Sequence, residues 1–412
     1  MTNSLSPFLH AFARPAAKPS DFVSIVRGEG AAIFDAAGKR YVDGMGSLWY
    51  CQIGHGRPEM AEAVRAQMMS LEAYNTFDIF TNEPSEQIAA ELADLAPMPD
   101  ARVFLTSGGS ESVETAMKLA RAAHHQAGHP EKTIIISRKQ SYHGVNYGAM
   151  TATGLPLNQT GFGELLSDVI QVPQHDLDAV GAICAQNAGR IAAILTEPVQ
   201  GAGGVHPPKP GYLEGLRALA DQHGAFLILD EVICGFGRLG TWWGAQHYGI
   251  TPDMVTFAKG ITSGYVPLGG VLLGPAVRGP LEADSTFILR HGYTYSGHPT
   301  ACAAGLANLE IMKREGLVER AIPVGARLSA GLNGLVANGK LAEVRGVGAV
   351  WAVGLHEGMN PMAVRATMLE EGAIGRPIAP STIAFCPPLV ISDDDIDQLV
   401  HALDVGLTKA AG

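Results

Sequence analysis

Charge is scarce in this sequence, and positive charge is scarcer still. Of its 412 residues, 17% are Asp, Glu, Lys or Arg, and 29 basic residues face 40 acidic ones. A net charge of −11 with no basic run excludes an electrostatic footprint for nucleic acid or an anionic membrane surface. Cysteine is thin as well. Cys51, Cys184, Cys234, Cys302 and Cys386 are odd in number, and no two form a CxxC pair. They read as buried apolar residues of a reducing compartment, not as a disulfide frame. No apolar run approaches the ~20 residues of a membrane span. Arg14 and Lys18 stand where a signal peptide would need its apolar core. The expected address is the cytoplasm.

What is present belongs to a folded enzyme. Apolar residues make up 47% of the chain, which excludes a disordered or collagen-like protein despite 50 Gly and 25 Pro. A length of 412 residues at ~150 per domain suggests two to three domains. Short apolar runs such as Arg102–Leu105, Thr133–Ile136, Ile191–Leu195, Ala225–Leu229 and Met254–Phe257 alternate with helical stretches such as Ser110–Ala127, Leu177–Gln186 and Tyr212–His223. Continuous apolar strands separated by helices predict a mostly parallel sheet covered on both faces. The expected fold is therefore α/β, with a large domain over 51–310. A small α+β domain is expected over 311–412, joined by the N-terminal segment 1–50, in which Asp35-Ala36-Ala37-Gly38 reads as a hairpin turn.

Two strands end in ionisable residues. Asp230 closes Ala225-Phe-Leu-Ile-Leu, and Lys259 follows Met254-Val-Thr-Phe-Ala. In an open α/β sheet both side chains would face the crevice at the carboxyl ends of the strands. A buried lysine loses its proton more readily, and its neutral amine can attack a carbonyl. Each residue alone also fits a lysine snorkelling from a strand end and an aspartate capping a turn. Leu105-Thr-Ser-Gly-Gly-Ser-Glu runs from a strand through glycines into a helix, with Ser110 expected as the N-cap and the helix start suited to a phosphate. An ordinary glycine turn would look the same. Ser141-Tyr-His-Gly144 follows another strand, where Tyr142 could cover a planar heteroaromatic ligand or simply pack over its loop. His124, His125 and His129 read as a solvated cluster at a helix C-terminus, and no metal site is expected.

In chain order the motifs are SGGSE, YHG, EPVQGAGG, LILDEV, FAKG and YTYSGHP. That order, from Leu48-Trp-Tyr-Cys-Gln-Ile-Gly-His-Gly56 to Cys386-Pro-Pro-Leu389, resembles the class III aminotransferases, pyridoxal 5′-phosphate enzymes of fold type I. The resemblance implies that Lys259 bonds the cofactor and shuttles a proton, and that Asp230 partners the pyridinium nitrogen. It implies that Gly109 and Ser110 cup the phosphate, with Gly108 where relatives usually carry serine. Tyr142, with His143 beside it, and Val232 would cover the two ring faces, and Glu197 would stand near the cofactor. Thr294 would reach the phosphate of a neighbouring subunit, which implies a homodimer or homotetramer with shared sites.

Substrate class follows from the same resemblance. Relatives that use 2-oxoglutarate often carry arginine directly after the YHG motif, and Val145 stands there. An unpaired buried carboxylate is costly, so a dicarboxylate acceptor is disfavoured. Arg376 resembles the mobile arginine of pyruvate-dependent ω-aminotransferases, although a surface arginine in a turn would look the same. Trp49 and Tyr50 resemble that subgroup's aromatic wall. The expected reaction passes an amino group from β-alanine, taurine, a diamine or an arylalkylamine to pyruvate, giving L-alanine. The alternatives are a 2-oxoglutarate-dependent or diaminopelargonate-type aminotransferase, an aminomutase, and a non-catalytic cofactor-binding sensor.

Overall fold

The computed structural model describes residues 5–411, in which fifteen strands form three sheets. Strands β1 (Ile25–Glu29), β2 (Ala32–Asp35) and β3 (Arg40–Asp43) make an antiparallel meander. The expected hairpin forms: Asp35 Oδ1 accepts the amides of Ala37 and Lys39, each at 2.9 Å, and Gly38 takes φ +83°. The middle of the chain supplies β4 (Arg102–Thr106), β5 (Ile134–Arg138), β6 (Val169–Val172), β7 (Ile191–Thr196), β8 (Phe226–Asp230), β9 (Met254–Phe257) and β10 (Gly269–Leu273). The remaining strands are β11 (Glu343–Val347), β12 (Val350–Gly354), β13 (Ala373–Ile374), β14 (Arg376–Ile378) and β15 (Thr382–Phe385).

The central sheet has the order β4-β10-β9-β8-β7-β5-β6, and only β10 runs against its neighbours. Every residue of β5, β7 and β8 is buried, as continuous apolar runs require when helices cover both faces. Alternation divides them. Ile135, Ile228 and Val271 pack with Val113, Ala116 and Leu119 of helix Gly109–Gln126, while Ile136, Leu229 and Leu272 belong to the core shared with Leu213 and Leu216 of helix Tyr212–His223. Strand β10 has no strand-like start in sequence, because Gly269-Gly270 reads as a turn. Neighbouring side chains explain the glycines: a Cβ on Gly270 would lie 2.5 Å from the Phe257 ring.

The third sheet, β11-β12-β15-β14, is antiparallel, and β13 pairs in parallel with β3, so the two ends of the chain share a sheet. Helices Leu177–Gln186 and Tyr212–His223 occupy the residues expected from periodicity, and helix Pro299–Arg314 follows the central sheet in the chain. All five cysteines are buried and free. Two local expectations are corrected. Ser110 is not an N-cap: Gly108 takes that place without a side-chain bond, and Ser110 Oγ instead accepts the Val145 amide at 3.0 Å. His124 is not solvated, because it stacks on Phe226 and bonds the Ala192 carbonyl at 3.0 Å, while His125 and His129 are exposed. No helix among the described residues is long and apolar enough to cross a membrane.

Candidate active site

Parallel strands end on one edge of a sheet, so the loops that follow them converge. Here they enclose a cavity lined by Gly109 and Ser110 after β4, Tyr142, His143 and Gly144 after β5, and Glu197 after β7. Asp230, Val232 and Ile233 at the end of β8, and Lys259 after β9, complete it.

One lining group is a buried carboxyl, that of Asp230. Register places Asp230 opposite Thr256, whose hydroxyl donates to Asp230 Oδ1 at 3.0 Å. The Val232 amide donates to the same oxygen at 3.2 Å, and His143 Nδ1–H donates to Oδ2 at 2.7 Å. Three donors leave the carboxylate satisfied although only 4% of it is exposed. Glu197 pins the loop that carries Tyr142. Its Oε1 accepts the Tyr142 amide at 3.0 Å, its Oε2 accepts the Gly201 amide at 2.9 Å, and its carbonyl accepts Arg138 Nη2 at 2.6 Å. Burial raises the pKa of this carboxyl.

Lys259 takes φ +51°, a conformation rare for a residue with a side chain. Burial brings its ammonium down from 10.5 to about 8, against the opposing pull of Asp230 and Glu197. The amine is thus poised to give up its proton near neutrality. Helix Gly109–Gln126, whose first residues line the same cavity, begins with first-turn amides that have no intrahelical acceptors, an arrangement favourable to an anion. Glu111, the acidic side chain of that turn, folds back to accept the Ser107 amide at 2.8 Å.

The structure gathers Gly109, Ser110, Tyr142, His143, Glu197, Asp230, Val232 and Lys259 around this one cavity. Tyr50 lines a neighbouring hollow with Gly109 and Lys259. Trp49 is fully buried in a cluster with Ile233, Cys234 and Cys386, outside the cavity lining. Val145 and Thr294 are exposed and also stand outside it. Arg376, in β14, is half-buried and within electrostatic range of Tyr142 and Lys259. Sequence reasoning missed Thr256 and Arg138. Thr256 could have been noticed as the one polar residue of Met254-Val-Thr-Phe; Arg138 carries no such signal.

The family model for class-III aminotransferases matches residues 13–407. An (S)-enantioselective omega-transaminase from Thermomicrobium roseum superposes with a TM-score of 0.93 at 38% identity, covering 98% of this chain and 96% of that one. A beta-alanine–pyruvate aminotransferase of Pseudomonas aeruginosa is 34% identical over 94% of this chain and 92% of its own length. A diaminobutyrate–2-oxoglutarate transaminase of Halomonas elongata is also 34% identical, over 93% of this chain and 90% of its own length. Overall similarity therefore does not select the acceptor.

Proposed function

Because the chain belongs to the class III aminotransferases, which use pyridoxal 5′-phosphate, we propose that it transfers the amino group of a primary ω-amine to pyruvate. The products are an aldehyde or ketone and L-alanine, and the donor class spans β-alanine, taurine, diamines and arylalkylamines.

The residues present fit the cofactor. Asp230 would face the pyridinium nitrogen, the first-turn amides at Gly109 and Ser110 would hold the phosphate, and Tyr142 and Val232 would cover the ring. When bound, the group supplies an electron sink for charge left at the carbon that bears nitrogen. Asp230, braced by Thr256, Val232 and His143, holds a proton on the ring nitrogen. Lys259, lowered towards neutrality, accepts and returns the proton of the substrate carbon. In this reading Thr294, exposed on its own chain, serves the phosphate of a second subunit, and the working unit is at least a dimer.

The observation that carries the acceptor is Arg376. Among the described residues its guanidinium has no hydrogen bond or ion pair, although burial already lowers its pKa. A desolvated cation without an anion is costly, and a substrate carboxylate supplies the missing partner in bidentate form. Among the described residues Lys259 is the one lysine or arginine that lines the cavity itself, and the exposed Val145 adds no charge, which supports an acceptor with a single carboxylate.

A half-reaction tests this reading. Amine alone should bleach the visible absorption of the holoenzyme, and pyruvate should restore it where 2-oxoglutarate does not. Arg376→Ala should raise KM for pyruvate by about 10- to 100-fold, the worth of a charged hydrogen-bonded pair, and leave bleaching by a carboxylate-free amine unchanged. Restoration by 2-oxoglutarate alone, or equal effects of Arg376→Ala on both substrates, would refute the proposal.

A further inference from the structure

The turn that carries Lys259 is wound against its preference. Lys259 at φ +51° and Ser263 at φ +49° both lie in the left-handed region, where side chains persist only if the surroundings impose it. The imposing group sits on another element. Asn308, wholly buried in helix Pro299–Arg314, donates from Nδ2 to the Gly260 carbonyl at 2.9 Å and accepts from Ser263 Oγ at 2.6 Å. Ser263 Oγ in turn accepts the amides of Gln52 and Ile53 at 3.2 and 3.3 Å. One carboxamide thus spans the turn from the residue after Lys259 to Ser263. The serine it holds also secures the backbone just past Trp49 and Tyr50.

A carboxamide among Ala301, Ala304, Leu309 and Met312 would weaken this helix core unless its bonds were made. No hydrophobic residue of similar size could brace the Gly260 carbonyl. We propose that Asn308 is a positioning residue for Lys259, holding its turn left-handed so that the amine faces the cavity, and coupling that turn through Ser263 to the Trp49–Tyr50 segment. The inference rests on Lys259 as the cofactor-bonding residue, and Lys259→Ala tests that separately by loss of the holoenzyme's visible band.

Two variants test the brace. Asn308→Leu keeps the volume and removes both bonds. Asn308→Asp keeps the shape but can donate to Gly260 only while its carboxyl is protonated. Holoenzymes are compared by cofactor content, by pH titration of the visible band, and by kcat and KM. Asn308→Leu should retain cofactor, lose about tenfold in kcat, keep KM for pyruvate within about twofold, and move the midpoint of the band's titration. Asn308→Asp should match the parent at low pH and fall away as its carboxyl ionises, adding a descending limb to kcat that the parent lacks. A parental kcat and titration midpoint in Asn308→Leu would overturn the proposal. If Asn308→Leu does not fold, the Asn308→Asp profile decides, and a profile parallel to the parent's would overturn the proposal.

Discussion

Removing the cofactor and returning it across a range of pH isolates what burial does to Lys259. With its pKa lowered from 10.5 to about 8, the amine is about 9% neutral at pH 7, against about 0.03% for an exposed lysine, a gain of roughly 300-fold in the reactive form. Stopped-flow mixing of cofactor-free enzyme with pyridoxal phosphate, followed by visible absorbance, reads that fraction as a rate. Nα-acetyl-lysine under the same conditions corrects for the ionisation of the added aldehyde. The enzyme's rate should climb about tenfold per pH unit below 8 and level off above it, while acetyl-lysine climbs on to about 10, so that their ratio is constant below pH 8 and falls above it. The same shift has a stability side. The folded chain disfavours the charged amine, so the cofactor-free protein loses stability as pH falls from 10.5 to about 8, and this contribution is constant below. An enzyme rate that rises in parallel with acetyl-lysine beyond pH 9 would refute the burial argument. A rate flat down to pH 6 would refute it from the other side.

Two further outcomes follow from the scaffold. Asp43 accepts the amides of Met45 at 3.1 Å and Ser47 at 2.6 Å and meets His55 Nε2 at 2.8 Å, bracing the backbone that leads to Trp49. Burial would lower the His55 pKa, but Asp43 and Cys51 together outweigh it and carry it up to about 10. The raised value contributes stability in full below pH 6.5 and loses it as pH rises through about 10. The difference in Tm between the parent and Asp43→Asn should therefore be widest below pH 6.5 and narrow towards pH 10; a pH-independent difference would mean the imidazolium contributes nothing. Gly203→Ala would place a Cβ 1.8 Å from the Gln140 carbonyl, in the turn that leads to Tyr142. Relief of that overlap should cost about 1–3 kcal/mol, measurable as a lower Tm of the cofactor-free protein together with weaker cofactor retention. An unchanged melting curve would show that the two loops have room to spare.

Local pattern carried the secondary structure of the middle of the chain. Met254–Phe257 is a strand at the residues its composition marks, and helix Tyr212–His223 begins and ends where periodicity places it. These elements are legible because apolar spacing reports burial along a continuous stretch of chain. Strand β10 was not, because its glycines answer to the Phe257 ring on the neighbouring strand and not to their own sequence neighbours. Nor was the inward turn of His124, which depends on Phe226 lying beneath it.

The chemical groups were present in the sequence, and their positions at strand ends followed from the parallel pattern. What they touch did not follow. Ser110 carries the residue type of a cap yet serves Val145, and Thr256 meets Asp230 only because two strands pair in one register. Asn308 stands 49 residues beyond Lys259 in the chain and braces its turn through Gly260. Composition and periodicity determined which segments are buried, helical or extended, and which functional groups the chain brings. Register, helix packing and the hydrogen bonds between distant elements decided which of those groups meet. Such contacts depend on the whole packed core, and no local stretch of sequence encodes them alone.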